Sequence, residues 1–192
     1  MNNKITKLSF VTTNNVKFDQ VSQCFRELAP NILLEQVKID LPEYQSLDIN
    51  YVSREKAKEA FKQLGSPLII DDGGIYLEAY NNFPGALSRY VFEGIGFEGI
   101  FKLAEDNPGA YFKTQLVYTD NGKDFQVFEG KLHGKIIKPE KPIITTSRMP
   151  FTLIFYPDGY YKPLKQLLEE SKTQEFNHRY QSVKKLAEFL NK

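Results

Sequence analysis

Apolar residues along the chain follow two periods, one typical of amphipathic helices and one typical of strands. Val21, Cys24, Phe25 and Leu28 recur at helical spacing between Asn14 and Pro30 and predict a first helix. By the same criterion the further predicted helices cover residues 50–64, 86–105, 162–170 and 175–191. Short apolar runs bounded by turn residues predict strands at 7–13, 32–39, 68–71, 75–79, 111–118, 125–137 and 151–156.

The order of these elements predicts the fold class. Strands and helices alternate at first, and a hairpin then follows around Asp120-Asn121-Gly122. This order favours an α/β fold with a long mixed sheet and flanking helices. Gly94 and Gly96 should interrupt the helix at 86–105. Because no repeat, low-complexity stretch or linker is visible, we expect one domain over residues 1–192.

Composition and charge exclude several classes of protein. The formal net charge is +1, which indicates no strong field for nucleic acid or an anionic membrane. Apolar runs are far shorter than a membrane span, and the first residues lack the pattern of a secretory signal. The single cysteine, Cys24, forms no internal disulfide, which fits a reducing cytoplasm. We therefore expect a cytoplasmic protein without nucleic-acid or membrane partners.

Two adjacent carboxylates, Asp71 and Asp72, follow an apolar run and precede Gly73 and Gly74. Two unit charges about 4 Å apart repel by roughly 4 kcal/mol at an effective dielectric constant near 20. A proton or a metal would relieve that repulsion, although a strand followed by an acidic turn has the same pattern. Successive side chains of a strand point to opposite faces, so the two carboxylates should do different jobs unless Gly73 bends the chain.

Two other segments carry groups that could bind a phosphate or a cation. Thr13, Asn14 and Lys17 lie at a helix start, where free backbone amides favour an anion such as phosphate. An ordinary helix cap with a solvated lysine would look the same. Glu43 lies in a loop after the second predicted strand and could join the acidic pair as an oxygen ligand for magnesium.

Two later segments carry side chains that could face a ligand. Ser88 and Arg89 follow a Pro-Gly turn, and His178 and Arg179 open the last helical stretch. N–H groups on His178 and Arg179, aimed at one spot, would donate hydrogen bonds to a carbonyl oxygen and repel an amino group. A tight turn with core aromatics and a surface His-Arg pair are the alternative interpretations.

Taken in order, these motifs resemble the inosine triphosphate pyrophosphatase family. Its Thr-Gly-Asn-x-x-Lys start is matched at Thr13, Asn14 and Lys17, with threonine for glycine. The family's other motifs are matched by Glu43-Tyr44-Gln45, Asp71-Asp72-Gly73-Gly74, Pro84-Gly85 with Ser88, and Asn177-His178-Arg179. The resemblance spans nearly the whole chain and implies two lobes around a central cleft.

The resemblance also implies an activity and a set of site residues. Members hydrolyse inosine- and xanthosine-type nucleoside triphosphates to the monophosphate and pyrophosphate with Mg²⁺, usually as homodimers. By that likeness Asp72 and Lys17 would be catalytic, and Glu43, Asp72 and Asp71 would hold the metal. Substrate would contact Thr13, Asn14, Lys17, Gly73, Ser88, Phe151, Lys172, His178 and Arg179.

The base-reading part of the family pattern is altered in this chain. The family carries an aromatic residue, Asp and Pro before its last strand, whereas this chain has Phe151, Thr152 and Leu153. A family lysine before the histidine falls on Thr173, with Lys172 one step earlier. We therefore expect a broader or shifted base preference, and a catalytically weak nucleotide-binding homologue is the alternative.

Overall fold

A mixed six-stranded sheet with the order β2-β1-β3-β4-β5-β6 forms the centre of the protein. The computed structural model describes residues 6–144, 149–170 and 177–191. β1 pairs in parallel with β2 and β3, and the later neighbours pair antiparallel. The strands are β1 Lys7–Val11, β2 Leu33–Val37, β3 Leu68–Leu77, β4 Gly109–Thr119, β5 Gln126–Ile136 and β6 Phe155–Pro157. The predicted mixed α/β sheet is therefore confirmed.

Five helices flank this sheet within the described chain, and the first two of them begin after a capping side chain. Asn14 accepts a hydrogen bond from the backbone of Lys17, and Asp48 accepts one from that of Asn50. Gly96, with φ of 58°, breaks the third helix where the sequence predicted an interruption. The helices are α1 Asn15–Leu28, α2 Ile49–Leu64, α3 Ser88–Leu103, α4 Leu164–Glu170 and α5 His178–Leu190.

The helices bury apolar side chains on both faces of the sheet. α1 and α5 pack on one face around Phe10, Phe25 and Leu116. α2 covers the other face around Ile70 and Val117. In a further cluster, α3 and α4 pack against the C-terminal halves of β3 and β5 and the N-terminal half of β4. Across the described part of the chain, no helix combines the length and apolarity that crossing a membrane requires.

Two local predictions are wrong. The predicted strands at 68–71 and 75–79 form one continuous strand, β3, so Asp71 and Asp72 lie inside a strand rather than at its end. β4 pairs with β3 along its whole length, which holds Gly73 and Gly74 in the ladder. The last strand, predicted at 151–156, begins only at Phe155. Phe151 lies before it, in a short 3₁₀ helix, Pro150–Leu153.

β1 is too short to cover the whole edge of β3. β1 pairs with β3 only as far as Ile70, so β1 leaves the edge of β3 uncovered from Asp71 onward. The parallel strands β1 and β2 both end beside this gap. Ligands of α/β sheets bind at the carboxyl ends of the parallel strands, where the strand order reverses. The fold therefore places the acidic pair at a natural binding position.

Candidate active site

A cavity of about 760 Å³ lies at the open edge of β3. Lys172 lies outside the described residues. The other residues predicted for the site all line this cavity, namely Thr13, Asn14, Lys17, Glu43, Asp71, Asp72, Gly73, Ser88, Phe151, His178 and Arg179. Residues from six separate segments therefore converge on one space.

The start of α1 forms one wall of the cavity. The hydroxyl of Thr12 accepts a hydrogen bond from the Asn14 amide, and the Asn14 side chain accepts one from the Lys17 amide. The Lys17 ammonium lies in the cavity wall and donates to the carbonyl oxygen of Asp71 (3.1 Å). Thr13 is exposed between them. A capped helix start and a partly buried cation thus face the acidic strand.

Asp71 is a buried carboxylate held by two cations. Its Oδ2 lies 2.9 Å from Nε of Arg179 and 3.7 Å from Nζ of Lys17. Burial alone would raise the pKa of Asp71, but the charges of Lys17 and Arg179 and the Arg179 hydrogen bond together lower it. Asp71 therefore links α1, β3 and α5 as an ionised group.

Asp72 belongs to a different network, centred on Lys56 of α2. The Lys56 ammonium lies 3.2 Å from Asp72 Oδ1 and 3.3 Å from Glu43 Oε2. Burial lowers the pKa of Lys56, but the charges of Asp72 and Glu43 outweigh it and raise the pKa overall. Asp72 Oδ2 is buried without a hydrogen-bond partner. One oxygen of Asp72 thus has no partner within the described part of the protein.

Sequence reasoning missed Lys56, although a signal was present. Val52, Ser53, Ala57 and Ala60 form the buried face of α2, and Lys56 lies on that face at helical spacing. A lysine among buried positions of an amphipathic helix indicates an acidic partner inside, because a buried ammonium without one is costly.

Two separate carboxylate networks bear on whether a cation fits here. Asp71 pairs toward α1 and α5, whereas Asp72 pairs toward α2, on the opposite face of the strand. This geometry does not favour Asp71 as a ligand shared with Asp72. Among the described residues no group of three or more His, Cys, Asp or Glu side chains is arranged to hold a metal. Glu43 and Asp72 alone still suit a divalent cation that also takes phosphate oxygens as ligands.

Gly74 lets the Gly85–Leu87 turn approach the strand closely. A Cβ at Gly74 would overlap the carbonyl oxygen of Gly85, and one at Gly73 would lie 2.7 Å from that of Lys113. The Ser88 hydroxyl accepts a hydrogen bond from the Ile75 amide (2.9 Å) and donates to the Gly85 carbonyl (2.6 Å). Ser88 therefore ties this turn to β3 rather than offering a free hydroxyl to the cavity.

His178 and Arg179 open α5 beneath the cavity. The His178 ring stacks on Phe112 at 5.2 Å, and its Nδ1 is buried without a partner. Burial and the Arg179 charge hold the pKa of His178 well below its usual range, so the ring is neutral. Arg179 donates to Asp71 and to Gln20 Oε1 (3.1 Å), and its Nη1 lies 3.5 Å from His178 Nε2. These contacts favour Arg179 as a group that positions its neighbours.

Comparison with known proteins shows to which family the chain belongs. Residues 8–189 match the profile of the Ham1 family. A dITP/XTP pyrophosphatase of Thermococcus kodakarensis is 31% identical over 186 residues, which cover 96% of this chain and 97% of the relative. The dITP/XTP pyrophosphatase of Saccharolobus solfataricus is 34% identical over 186 residues, covering 96% of this chain and 93% of the relative.

Solved structures share the fold. The Staphylococcus aureus Ham1 protein superposes with a TM-score of 0.72 at 21% identity, covering 96% of this chain and 98% of its own. A HAM1 protein from Coxiella burnetii gives a TM-score of 0.72 at 20% identity, covering 97% of this chain and 99% of its own. Because the profile match covers nearly the whole sequence, the chain belongs to the Ham1 family.

Proposed function

We propose that this chain is a nucleoside triphosphate pyrophosphatase that acts on dITP- and XTP-type purine nucleotides. The observation that carries the proposal is the convergence of Lys17, Glu43, Lys56 and Asp72 on one cavity. Basic and acidic groups from four separate segments suit a polyphosphate bound together with a cation. The names of the archaeal relatives support the same activity.

In the proposed mechanism the phosphates lie against the start of α1. Thr13, Asn14 and the helix amides would bind phosphate oxygens, and Lys17 would neutralise their charge. Asp72 Oδ2, which has no partner inside the protein, would accept the proton of the attacking water. Cleavage between the α and β phosphates then releases pyrophosphate. Holding the triphosphate in line with this water would supply much of the rate.

A divalent cation fits the acidic side of the cavity, and we propose that it is Mg²⁺. Glu43 and Asp72 would hold it together with phosphate oxygens, and when bound it supplies charge neutralisation and lowers the pKa of bound water. The Lys56 ammonium, which lies between these carboxylates, would keep them compensated when no cation is bound.

Two parts of the proposal rest on the family resemblance and the composition. We propose a homodimer, because members of the resembling family usually form one. We also propose a cytoplasmic location, which fits the single Cys24. Burial raises the pKa of the Cys24 thiol to about 12, so the group is an inert core residue rather than a nucleophile.

Product analysis by ³¹P NMR tests the proposed activity. The protein is incubated with ITP and Mg²⁺, and we expect IMP and pyrophosphate as the only products. IDP with inorganic phosphate would mean cleavage at the terminal phosphate and would contradict the proposal. No turnover of any triphosphate would favour the second candidate, a nucleotide-binding homologue with little activity, which the altered segment at Thr152 and Leu153 suggests.

A further inference from the structure

Lys56 lies between the two carboxylates that the proposed function assigns to the cation. Its ammonium donates a hydrogen bond to Asp72 Oδ1 (3.2 Å) and lies 3.3 Å from Glu43 Oε2. The side chain of Lys56 is 16% exposed, and its stem leaves α2 on the face that also buries Val52 and Ala57. The helix therefore holds one positive charge against the oxygens that a cation would use.

These two carboxylates share a single protein cation. Across the described residues, Lys56 is the one Lys, Arg or His side chain within ion-pair distance of Glu43 or Asp72. Lys17, the other lysine that lines the cavity, contacts Asp71 instead. Because one ammonium faces two carboxylates, the group keeps a negative charge that can attract a divalent cation.

Protein ligands for a cation are few in this part of the cavity. Among the described residues, no three His, Cys, Asp or Glu side chains are grouped to hold a metal. A small divalent cation such as Mg²⁺ commonly binds through one or two carboxylates together with phosphate oxygens and water. A cation on Glu43 and Asp72 would also lie close to the Lys56 ammonium, and like charges at short range repel. The carboxylate pair is therefore a poor site for a cation that arrives alone.

We propose that Lys56 is an internal competitor for the cation, an inference that rests on the cation site of the proposed function. Its ammonium occupies Glu43 and Asp72 in the nucleotide-free protein and keeps the affinity for a divalent cation low. A bound polyphosphate adds oxygen ligands and negative charge, so the cation enters together with the nucleotide. Lys56 is a positioning residue in this role, because it acts through the two carboxylates rather than on the reacting atoms.

Binding of Mn²⁺ without nucleotide tests the competition directly. Mn²⁺ prefers oxygen ligands as Mg²⁺ does, and the EPR signal of the free ion falls as it binds. Lys56→Met removes the charge but keeps an unbranched stem, so it should bind Mn²⁺ at least about tenfold more tightly than wild type. Lys58→Met is the matched control on the same helix, since Lys58 pairs with Glu55 at the surface, and should bind Mn²⁺ as wild type does. Equal affinities of wild type and Lys56→Met overturn the proposal.

Further variants separate the effect of charge from that of packing. Lys56→Arg keeps the positive charge and should bind Mn²⁺ as weakly as wild type. Lys56→Gln is neutral and should match Lys56→Met, and it carries the comparison if the methionine variant does not fold. Tighter binding in Lys56→Arg would assign the effect to packing and overturn the proposal. Adding Glu43→Gln to Lys56→Met should remove the gain, and a gain that persists would place the cation elsewhere, with the same consequence.

Thermal unfolding gives a second readout. In EDTA, Lys56→Met should unfold at a lower temperature than Lys58→Met, because Glu43 and Asp72 lose their counter-charge. Millimolar Mn²⁺ should then raise the Tm of Lys56→Met more than that of wild type, since a ligand that binds the folded state stabilises it according to its affinity. A loss of stability that Mn²⁺ does not recover would indicate a packing role alone and contradict the competition.

These measurements use no nucleotide, so their outcome is separate from that of the product analysis. Pyrophosphate release from ITP, with equal Mn²⁺ affinities of wild type and Lys56→Met, would overturn the competition and leave the proposed activity in place. Tighter Mn²⁺ binding in Lys56→Met without turnover of any triphosphate would support the competition and count against the proposed activity.

Discussion

Asp71 illustrates how single residues hold the site together. Its carboxylate is fully buried and compensated by Arg179 and Lys17, which come from the two helices packed on one face of the sheet. Removing one partner of a buried ion pair leaves the other charges uncompensated. The Asp71 network is therefore a stability element as well as part of the cavity wall.

Asp71→Asn should lower the free energy of unfolding by about 3 kcal/mol at pH 7, because two cations lose their buried counter-charge. Urea denaturation followed by circular dichroism measures the change. Glu98→Gln is the matched control, since its Lys138 partner is exposed and the pair should contribute less than about 1 kcal/mol. Equal effects of the two variants would contradict the assigned role of Asp71.

The same carboxylate sets a pH dependence. The pKa of Asp71 is lower in the folded state than in the unfolded state. Its contribution to the free energy of unfolding is therefore complete above the unfolded pKa of about 4 and is lost as the pH falls through the folded pKa. The stability difference between wild type and Asp71→Asn should therefore shrink below about pH 4. Denaturation curves from pH 7 down to pH 2 check this, and a constant difference would be the contrary result.

Residue types predicted much of the site, but their partners were not predictable. Thr13, Lys17, Glu43 and Asp72 could be singled out because phosphate and cation chemistry needs such groups. Lys56 was missed because its meaning depends on a contact 16 residues away with Asp72. A pairing of that kind becomes visible only when α2 packs on β3.

At the scale of elements, β3 decides the shape of the cavity. The sequence predicted two strands, at 68–71 and 75–79, separated at Gly73 and Gly74, yet β3 runs without a break to Leu77. The glycines serve close approach instead, because a Cβ at Gly74 would overlap the backbone of the Gly85–Leu87 turn. Sequence patterns reveal that a glycine is needed but not whether a turn or a neighbouring backbone needs it. By contrast, α1, α2 and the β4–β5 hairpin were predicted, because their periodicity and turn residues act locally.

Gly74→Ala should destabilise the protein by about 1–3 kcal/mol, because the added methyl group pushes the turn away from β3. Gly94→Ala is a matched control in α3, where no atom lies within 4 Å of the added Cβ. That variant should stabilise the protein by about 0.5–1 kcal/mol through helix propensity. Thermal unfolding of both variants measures the contrast, and a destabilised Gly94→Ala with a neutral Gly74→Ala would refute it.

For the whole molecule, the sheet order brings distant segments to one edge. The ends of β1 and β2, the start of α1, one face of α2 and the start of α5 all border the open part of β3. This convergence could be expected only from the family resemblance, since no local pattern specifies which strands are neighbours. The proposed homodimer is also a property of the whole molecule.

Size-exclusion chromatography with light scattering tests the dimer. Each chain has a mass of 22.2 kDa, so the proposal predicts a species of twice that mass at micromolar concentration. A mass equal to that of one chain at the same concentration would contradict it.

The most direct test of the account compares pyrophosphate release from ITP by wild type, Asp72→Asn and the exposed control Asp106→Asn. Asp72→Asn keeps the shape of the side chain but removes the charge and basicity at Oδ2, so turnover should fall by at least about 100-fold while Asp106→Asn stays near wild type. Near wild-type turnover in Asp72→Asn would contradict the proposed active site.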